Sequence, residues 1–228
     1  MEWITSEDVA TAERAAAQYI AARLLQAVGE RAAATLAISG GSTPSGMFER
    51  LAAEELPWSD VRVMQVDERI VPPDHEARNW KLFLASPLAR RIAPANRYPL
   101  PVEIDDPRLA ADRYAETLIG LAGEALVLDV VHLGIGEDGH TASLFVDDPL
   151  FHETRRPVGV SQPHRGFRRL SLTLPVLNRA RCVVWFVAGA ARRAAVTRLF
   201  RRDLSIPASH VERDRAVCFT DPAAAPDA

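Results

Sequence analysis

Between Val127 and Phe145 the sequence VLDVVHLGIGEDGHTASLF sets a carboxylate, Asp138, two positions before a histidine, His140, in a turn punctuated by Gly134, Gly136 and Gly139. A histidine side chain titrates near neutral pH and can take a proton from water. A carboxylate beside it can orient the ring or favour its protonated form, although residues two apart on a loop need not touch. The bland alternative is a structural histidine. What favours chemistry is the place: Leu126 to Leu133 is a short, nearly continuous apolar run of the kind buried on both faces of a parallel sheet. In open α/β sheets ligands bind beyond the carboxyl ends of such strands.

The three glycines also spell G-x-G-x-x-G, a pattern associated with dinucleotides. That fingerprint needs an uninterrupted helix facing a pyrophosphate, and here Asp147-Asp148-Pro149 stops any helix soon after Thr141. Glu137 and Asp138 would put negative charge where the diphosphate belongs. The match is read as false.

Two more strand ends carry polar groups. Thr35 to Ile38 reads as a buried strand that breaks into Ser39-Gly40-Gly41-Ser42-Thr43-Pro44 before a helix over Ser45 to Ala53. Such a turn makes a nest of amide donors suited to one phosphate, or else is an ordinary strand-to-helix turn with Pro44 at the first helical position. Val61 to Val66 is the next strand and runs into Asp67-Glu68-Arg69, with Asn79 beyond. Taken alone this triplet is a solvated charged loop. Its coincidence with two other polar strand ends is what makes it a candidate.

The elements that must position these groups alternate. An alanine-rich amphipathic helix from Ser6 to about Val28 opens on a Ser6-Glu7-Asp8 cap and ends at Gly29. Residues 86–107 read as a proline-rich surface excursion without an interdomain linker, followed by a helix from Pro107 to Leu121. Strands are expected at Pro157–Val160, Arg169–Leu174, Arg181–Ala188 and Ala216–Phe219, with a helix over Ala190–Phe200. Strands alternating with helices mean an α/β fold. One domain over residues 1–222 and a frayed tail at 223–228 are expected.

Composition narrows the function. A hydrophobic content of 48% over 228 residues allows a sizeable core, and a net charge of -3 argues against an electrostatic nucleic-acid binder. The acidic N-terminus lacks an apolar leader and no apolar run approaches membrane-spanning length, so a cytoplasmic protein with no membrane partner is expected. Lys81 is the only lysine, which makes 26 of the 27 basic residues arginine. Any anion will be held mainly by guanidinium forks and backbone amides. Cys182 and Cys218 read as buried free thiols, Trp58, Trp80 and Trp185 as packing anchors, and His75, His132, His152, His164 and His210 as surface or packing residues without metal-site spacing.

Five segments, in order, resemble the 6-phosphogluconolactonases, within the wider group that includes glucosamine-6-phosphate deaminase: SGGSTP at 39–44, DERIVP at 67–72, LGIGEDGHTASLF at 133–145, RLSLTLPVLNRAR at 169–181 and AGAAR at 188–192. The deaminases typically carry an aromatic residue where Arg69 stands and an Asn-Glu-Pro type sequence in place of Ser143-Leu144-Phe145. The resemblance implies a modified doubly wound, Rossmann-like α/β fold with a mostly parallel sheet flanked by helices and a small additional strand and loop region. It implies hydrolysis of a 6-phosphorylated sugar δ-lactone without metal or organic cofactor, and a monomer is expected. It also implies roles: His140 as general base, Asp138 as its partner, Arg69 on the carbonyl oxygen or a hydroxyl, and Asp67 on hydroxyls or on Arg69. Ser39, Gly40, Gly41, Ser42 and Thr43 would take the phosphate with Arg169 and Arg192. Three positions depart from the family pattern. Arg192 replaces a lysine, Val146 a proline, and Arg78 a serine, which would add a guanidinium near the Asp67 loop. A sugar-phosphate isomerase or deaminase using Asp67 as base, and a non-catalytic sugar-phosphate sensor, stay open as alternatives.

Overall fold

The computed structural model describes residues 1–41 and 43–227. Its centre is a seven-stranded sheet, every pairing of which is parallel. In chain order the strands are β1 (Glu2–Thr5), β2 (Ala34–Ile38), β3 (Val61–Gln65), β5 (Arg97–Tyr98), β6 (Val130–Leu133), β9 (Cys182–Val187) and β10 (Ala216–Thr220). In space they run β1-β10-β9-β6-β2-β3-β5. The inner strands ATLAI, VVHL and CVVWFV are buried at every position, as continuous apolar runs covered on both faces must be.

The two faces are covered by different helices. On one, α1 (Val9–Arg31), α2 (Ser45–Ala53), α3 (Asn79–Ala85) and α4 (Pro87–Arg91) pack residues such as Leu24, Phe48, Phe83 and Leu88 against Leu36, Val63, Val184 and Phe219. On the other, α5 (Pro107–Ala122), α6 (Leu174–Arg179) and α7 (Arg193–Phe200) pack Leu118, Leu177 and Leu199 with Val131, Leu133 and Trp185. Tyr114 pins α5 to the sheet, because its hydroxyl accepts the Gln65 N–H at 2.8 Å and lies 2.9 Å from the Gln65 carbonyl. A second, antiparallel sheet of three strands, β4 (Asp67–Arg69), β8 (Arg169–Leu172) and β7 (Val158–Val160), sits beside the first. The α/β architecture with a mostly parallel sheet and a small extra strand region is thus as expected. Among the described residues no helix is long and apolar enough to cross a membrane.

Three local expectations need correction, and one strand had not been expected. Helix α1 runs through Gly29 to Arg31, whose guanidinium reaches Asp129 at 2.9 Å, and ends on left-handed Ala32. Residues 86–107 are no mere surface excursion: Leu88 and Ile92 are core residues, and Arg97–Tyr98 adds an edge strand to β3. The N-terminal Glu2–Thr5 is a strand on the opposite edge. Residues 222–227 are tied down, with Ala224 fully buried, Arg193 donating to the carbonyls of Pro222 and Ala223, and the Asp227 N–H donating to Thr197 Oγ1; Ala228 lies outside the described residues.

Glu68 holds the turn after β3. It is fully buried, and its Oε1 accepts the N–H groups of Arg69 and Asn79 at 2.8 and 2.9 Å. Its Oε2 accepts the Trp80 N–H and the Gln65 Nε2–H at 2.7 and 2.9 Å. One carboxylate therefore caps the first turn of α3, where orphan amides and the helix dipole favour negative charge. Arg78 turns inward to Glu68 and Glu103 instead of joining the sugar end. Glu68→Ala would leave two helix amides and the Arg69 N–H unmet and take one of its two carboxylate partners from the buried Arg78, so a loss of about 3 kcal/mol or more is expected in urea unfolding. An unfolding midpoint equal to wild type would contradict this role.

Candidate active site

The chain passes from β2 to β3 on one side of β2, whereas β6 pairs on the other. The loops leaving β2 and β6 therefore diverge from a crevice at the carboxyl edge, the position at which open α/β sheets bind ligands. A cleft of about 280 Å³ opens there, walled by Ser39, Gly40, Gly41 and Thr43 from the first loop and Gly134, Gly136 and His140 from the second. Asp67, Arg69, Asn79, Arg165 and Arg192 complete it. Ser42 lies outside the described residues.

The phosphate-nest candidate is tethered at its root. Ser39 gives both its N–H and its hydroxyl to the His132 carbonyl, at 3.2 and 3.1 Å, so its hydroxyl anchors the loop to β6. A Cβ on Gly40 would fall 2.1 Å from the Asn79 side chain, and Gly41 has φ +101°, which a side chain would strain. Pro44 at the N-cap of α2 offers no side-chain acceptor for the amides that follow.

The reactive end is built around Asp138 and His140. Asp138 Oδ1 lies 2.5 Å from His140 Nδ1 and accepts the His140 N–H at 3.2 Å, so these residues do touch. The turn closes through the Gly136 N–H to the His140 carbonyl at 2.8 Å. Gly136 has to be glycine, because a Cβ there would stand 2.1 Å from Nδ1. With Nδ1 committed, Nε2 is the nitrogen left without a hydrogen bond among the described residues. Burial tends to raise Asp138, but its hydrogen bonds and charge interaction with His140 outweigh that and hold it below the usual carboxylate range.

The small sheet supplies the side wall. Asp67 Oδ2 accepts the Ser143 hydroxyl at 2.6 Å, which ties β4 to the loop after β6. Arg69 uses Nη1 for the Ala77 carbonyl and Asn79 Oδ1, at 2.8 and 3.0 Å, leaving the rest of its fork for a ligand. Asn79, whose place the sequence left open, is thus the brace between Arg69 and Gly40.

The arginines divide. Arg192 reaches the cleft, where its Nη1 pairs with Glu137 at 2.5 Å. Arg169 lies outside it, 6% exposed, donating to the carbonyls of His164 and Phe167 and standing 5.3 Å from the centre of the Phe145 ring. It lines a neighbouring cavity of about 440 Å³ with Arg69 and Arg165. Arg165, which the sequence reading missed, lines both cavities from the His164–Phe167 hairpin turn, whose Gly166 has φ +82°. The Pro163-His164-Arg165-Gly166 string was its only signal. His164, read as a surface or packing residue, stacks on Phe145 at 3.9 Å, with Nε2 3.9 Å from Asp138 Oδ2. Among the described residues no three His, Cys, Asp or Glu side chains form a set that could hold a metal ion. A base, a fixed carboxylate, an open guanidinium and an amide-rich loop in one cleft suit attack of water on an ester carbonyl of an anionic molecule.

Comparison with known proteins agrees. The sequence profile described as glucosamine-6-phosphate isomerases/6-phosphogluconolactonase matches residues 7–219. A 6-phosphogluconolactonase of Synechocystis sp. is 38% identical over 186 residues, covering 79% of this chain and 77% of that one. The human 6-phosphogluconolactonase is 34% identical over 235 residues, covering 91% and 89%. The solved structure of 6-phosphogluconolactonase from Trypanosoma cruzi superposes with a TM-score of 0.86 at 25% identity, covering 98% and 95%.

The Asp138–His140 contact has a measurable consequence. A carboxylate depressed in the folded chain stabilises it above the ordinary aspartate range, and that contribution is lost as pH falls through the folded value. In His140→Ala the burial and the backbone N–H bond remain while the ring's hydrogen bond and charge go, so Asp138 is expected to titrate at higher pH by carboxyl ¹³C NMR. A titration left where it was would contradict the pairing.

Proposed function

The chain belongs to the family of glucosamine-6-phosphate isomerases and 6-phosphogluconolactonases, and from that premise we propose that it hydrolyses 6-phospho-D-glucono-1,5-lactone to 6-phosphogluconate. This is a step of the oxidative pentose phosphate pathway. The observation that carries the reading is that His140, held by Asp138 at 2.5 Å, lines the same cleft as Ser39, Gly40, Gly41 and Thr43.

A δ-lactone is an activated ester, so the protein needs only to deprotonate water, support the carbonyl oxygen and protonate the leaving ring oxygen. His140 Nε2 takes a proton from water as its oxygen bonds to C1, and Asp138 holds the ring through Nδ1 and stabilises the imidazolium. The free part of the Arg69 fork faces the charge that gathers on the carbonyl oxygen. Collapse breaks the bond from C1 to the ring oxygen, which takes the proton back from His140. The amides of Gly40, Gly41 and Thr43 hold the 6-phosphate, with Arg192 and Arg165 at the rim. Arg169 backs the wall by fixing the His164–Phe167 turn, a supporting place in contrast to the direct phosphate contact that the resemblance implies. Asp67, already accepting from Ser143, anchors the side wall and is poorly placed to serve as a proton-abstracting base of the isomerase type.

The test is the rate of hydrolysis of freshly made 6-phosphogluconolactone above its spontaneous background. Wild type is expected to be fast and slow on unphosphorylated gluconolactone, and His140→Ala to lose at least about 10²-fold. A wild type without acceleration would sink the activity. A fully active His140→Ala would sink the mechanism and leave the substrate standing.

A further inference from the structure

His132, the third residue of β6, has no place in the mechanism above, yet it lies under the loop that the mechanism uses. Its carbonyl receives both donors of Ser39. Its ring meets Phe48 of α2 edge-on at 5.6 Å, and the residue is among those at the wall of the cleft with Gly40, Thr43 and Pro44. The residue is 1% exposed, and neither ring nitrogen has a hydrogen-bond partner among the described residues. Buried polar atoms are almost always satisfied, and an apolar side chain would fill this hole without leaving two of them unmet. The missing partner is therefore to be sought in what enters the cleft.

We propose that His132 is a phosphate-binding residue, whose ring N–H donates to a phosphoryl oxygen of the substrate from the floor of the cleft. The proposal rests on the reading that the 39–43 loop holds the phosphate. Burial pushes the imidazole down to about 3, so it is neutral near pH 7 and offers one donor and one acceptor. A neutral donor adds a directed hydrogen bond without a fixed charge under the amides of the loop. It also makes discrimination steep, since an unphosphorylated lactone leaves a buried donor unmet and a phosphorylated one satisfies it.

The test compares wild type, His132→Leu, His132→Asn, His132→Gln and Gly41→Val. The readouts are the ratio of kcat/KM for phosphorylated over unphosphorylated lactone and the rise in melting temperature given by 6-phosphogluconate. His132→Leu is expected to melt at or above the wild-type temperature without ligand and to lose about tenfold or more of the ratio, the size of one hydrogen bond to a charged group. It should also lose most of the stabilisation by product, and Asn or Gln, which keep an N–H, should recover part of both. If His132→Leu keeps the ratio while Gly41→Val loses it, the loop reading stands and the His132 proposal fails. If both variants keep it, the loop reading fails and takes the proposal with it. An equal loss on both lactones in His132→Leu would make the residue packing only and likewise overturn the proposal.

Discussion

The parallel pairing of β2 with β6 is the constraint from which the cleft follows. Ile38 stands opposite His132 in that register, and Ser39 extends the junction by giving both its donors to the His132 carbonyl. Because the chain turns from β2 toward β3 and from β6 toward β9, the loops after these two strands part at the sheet edge and cannot fill the gap between them. A slip of one residue would exchange the faces of every side chain on β6. It would also move the Ser39 anchor away from the loop that carries Asp138 and His140.

Close approaches refine that gap. Gly40 lets Asn79 lie against the loop after β2, and Asn79 in turn braces Arg69. Gly136 lets the His140 ring fold back onto its own turn. The small sheet links these parts, since Asp67 meets Ser143 from β4, and the Ser143 N–H reaches the Ser171 hydroxyl of β8 at 3.1 Å. The polar strand ends are thus one connected set, which limits the motion of His140, the proposed base, which has to meet water within hydrogen-bond reach.

The inner strands β2, β6 and β9 were legible in the sequence because burial on both faces writes an unbroken apolar run. Helix α2 was legible from its turn and Pro44. Edge strands leave no such trace: β1 and β5 are short and partly exposed, and β4 is the charged tripeptide Asp67-Glu68-Arg69. The burial of Glu68 was hidden for a different reason, since its partners include amides at 79 and 80 and a guanidinium at 78, brought back by a turn with no periodicity. Motif position found His140, Arg69, Asp67 and Arg192, which line one cleft, and Asp138, which holds His140 from beside it, but it could not tell Arg169, which faces the adjoining cavity, from Arg165, which faces both.

The central claim is that one cleft holds the phosphate at the β2 loop and the reacting carbon at His140. Diffraction from crystals soaked in 6-phosphogluconate tests it most directly. The expected result is a phosphate against the amides of Gly40 and Gly41, with the product carboxylate within hydrogen-bond reach of His140 Nε2 and the Arg69 fork. A phosphate lodged among Arg69, Arg165 and Arg169, with the carboxylate away from His140, would contradict it.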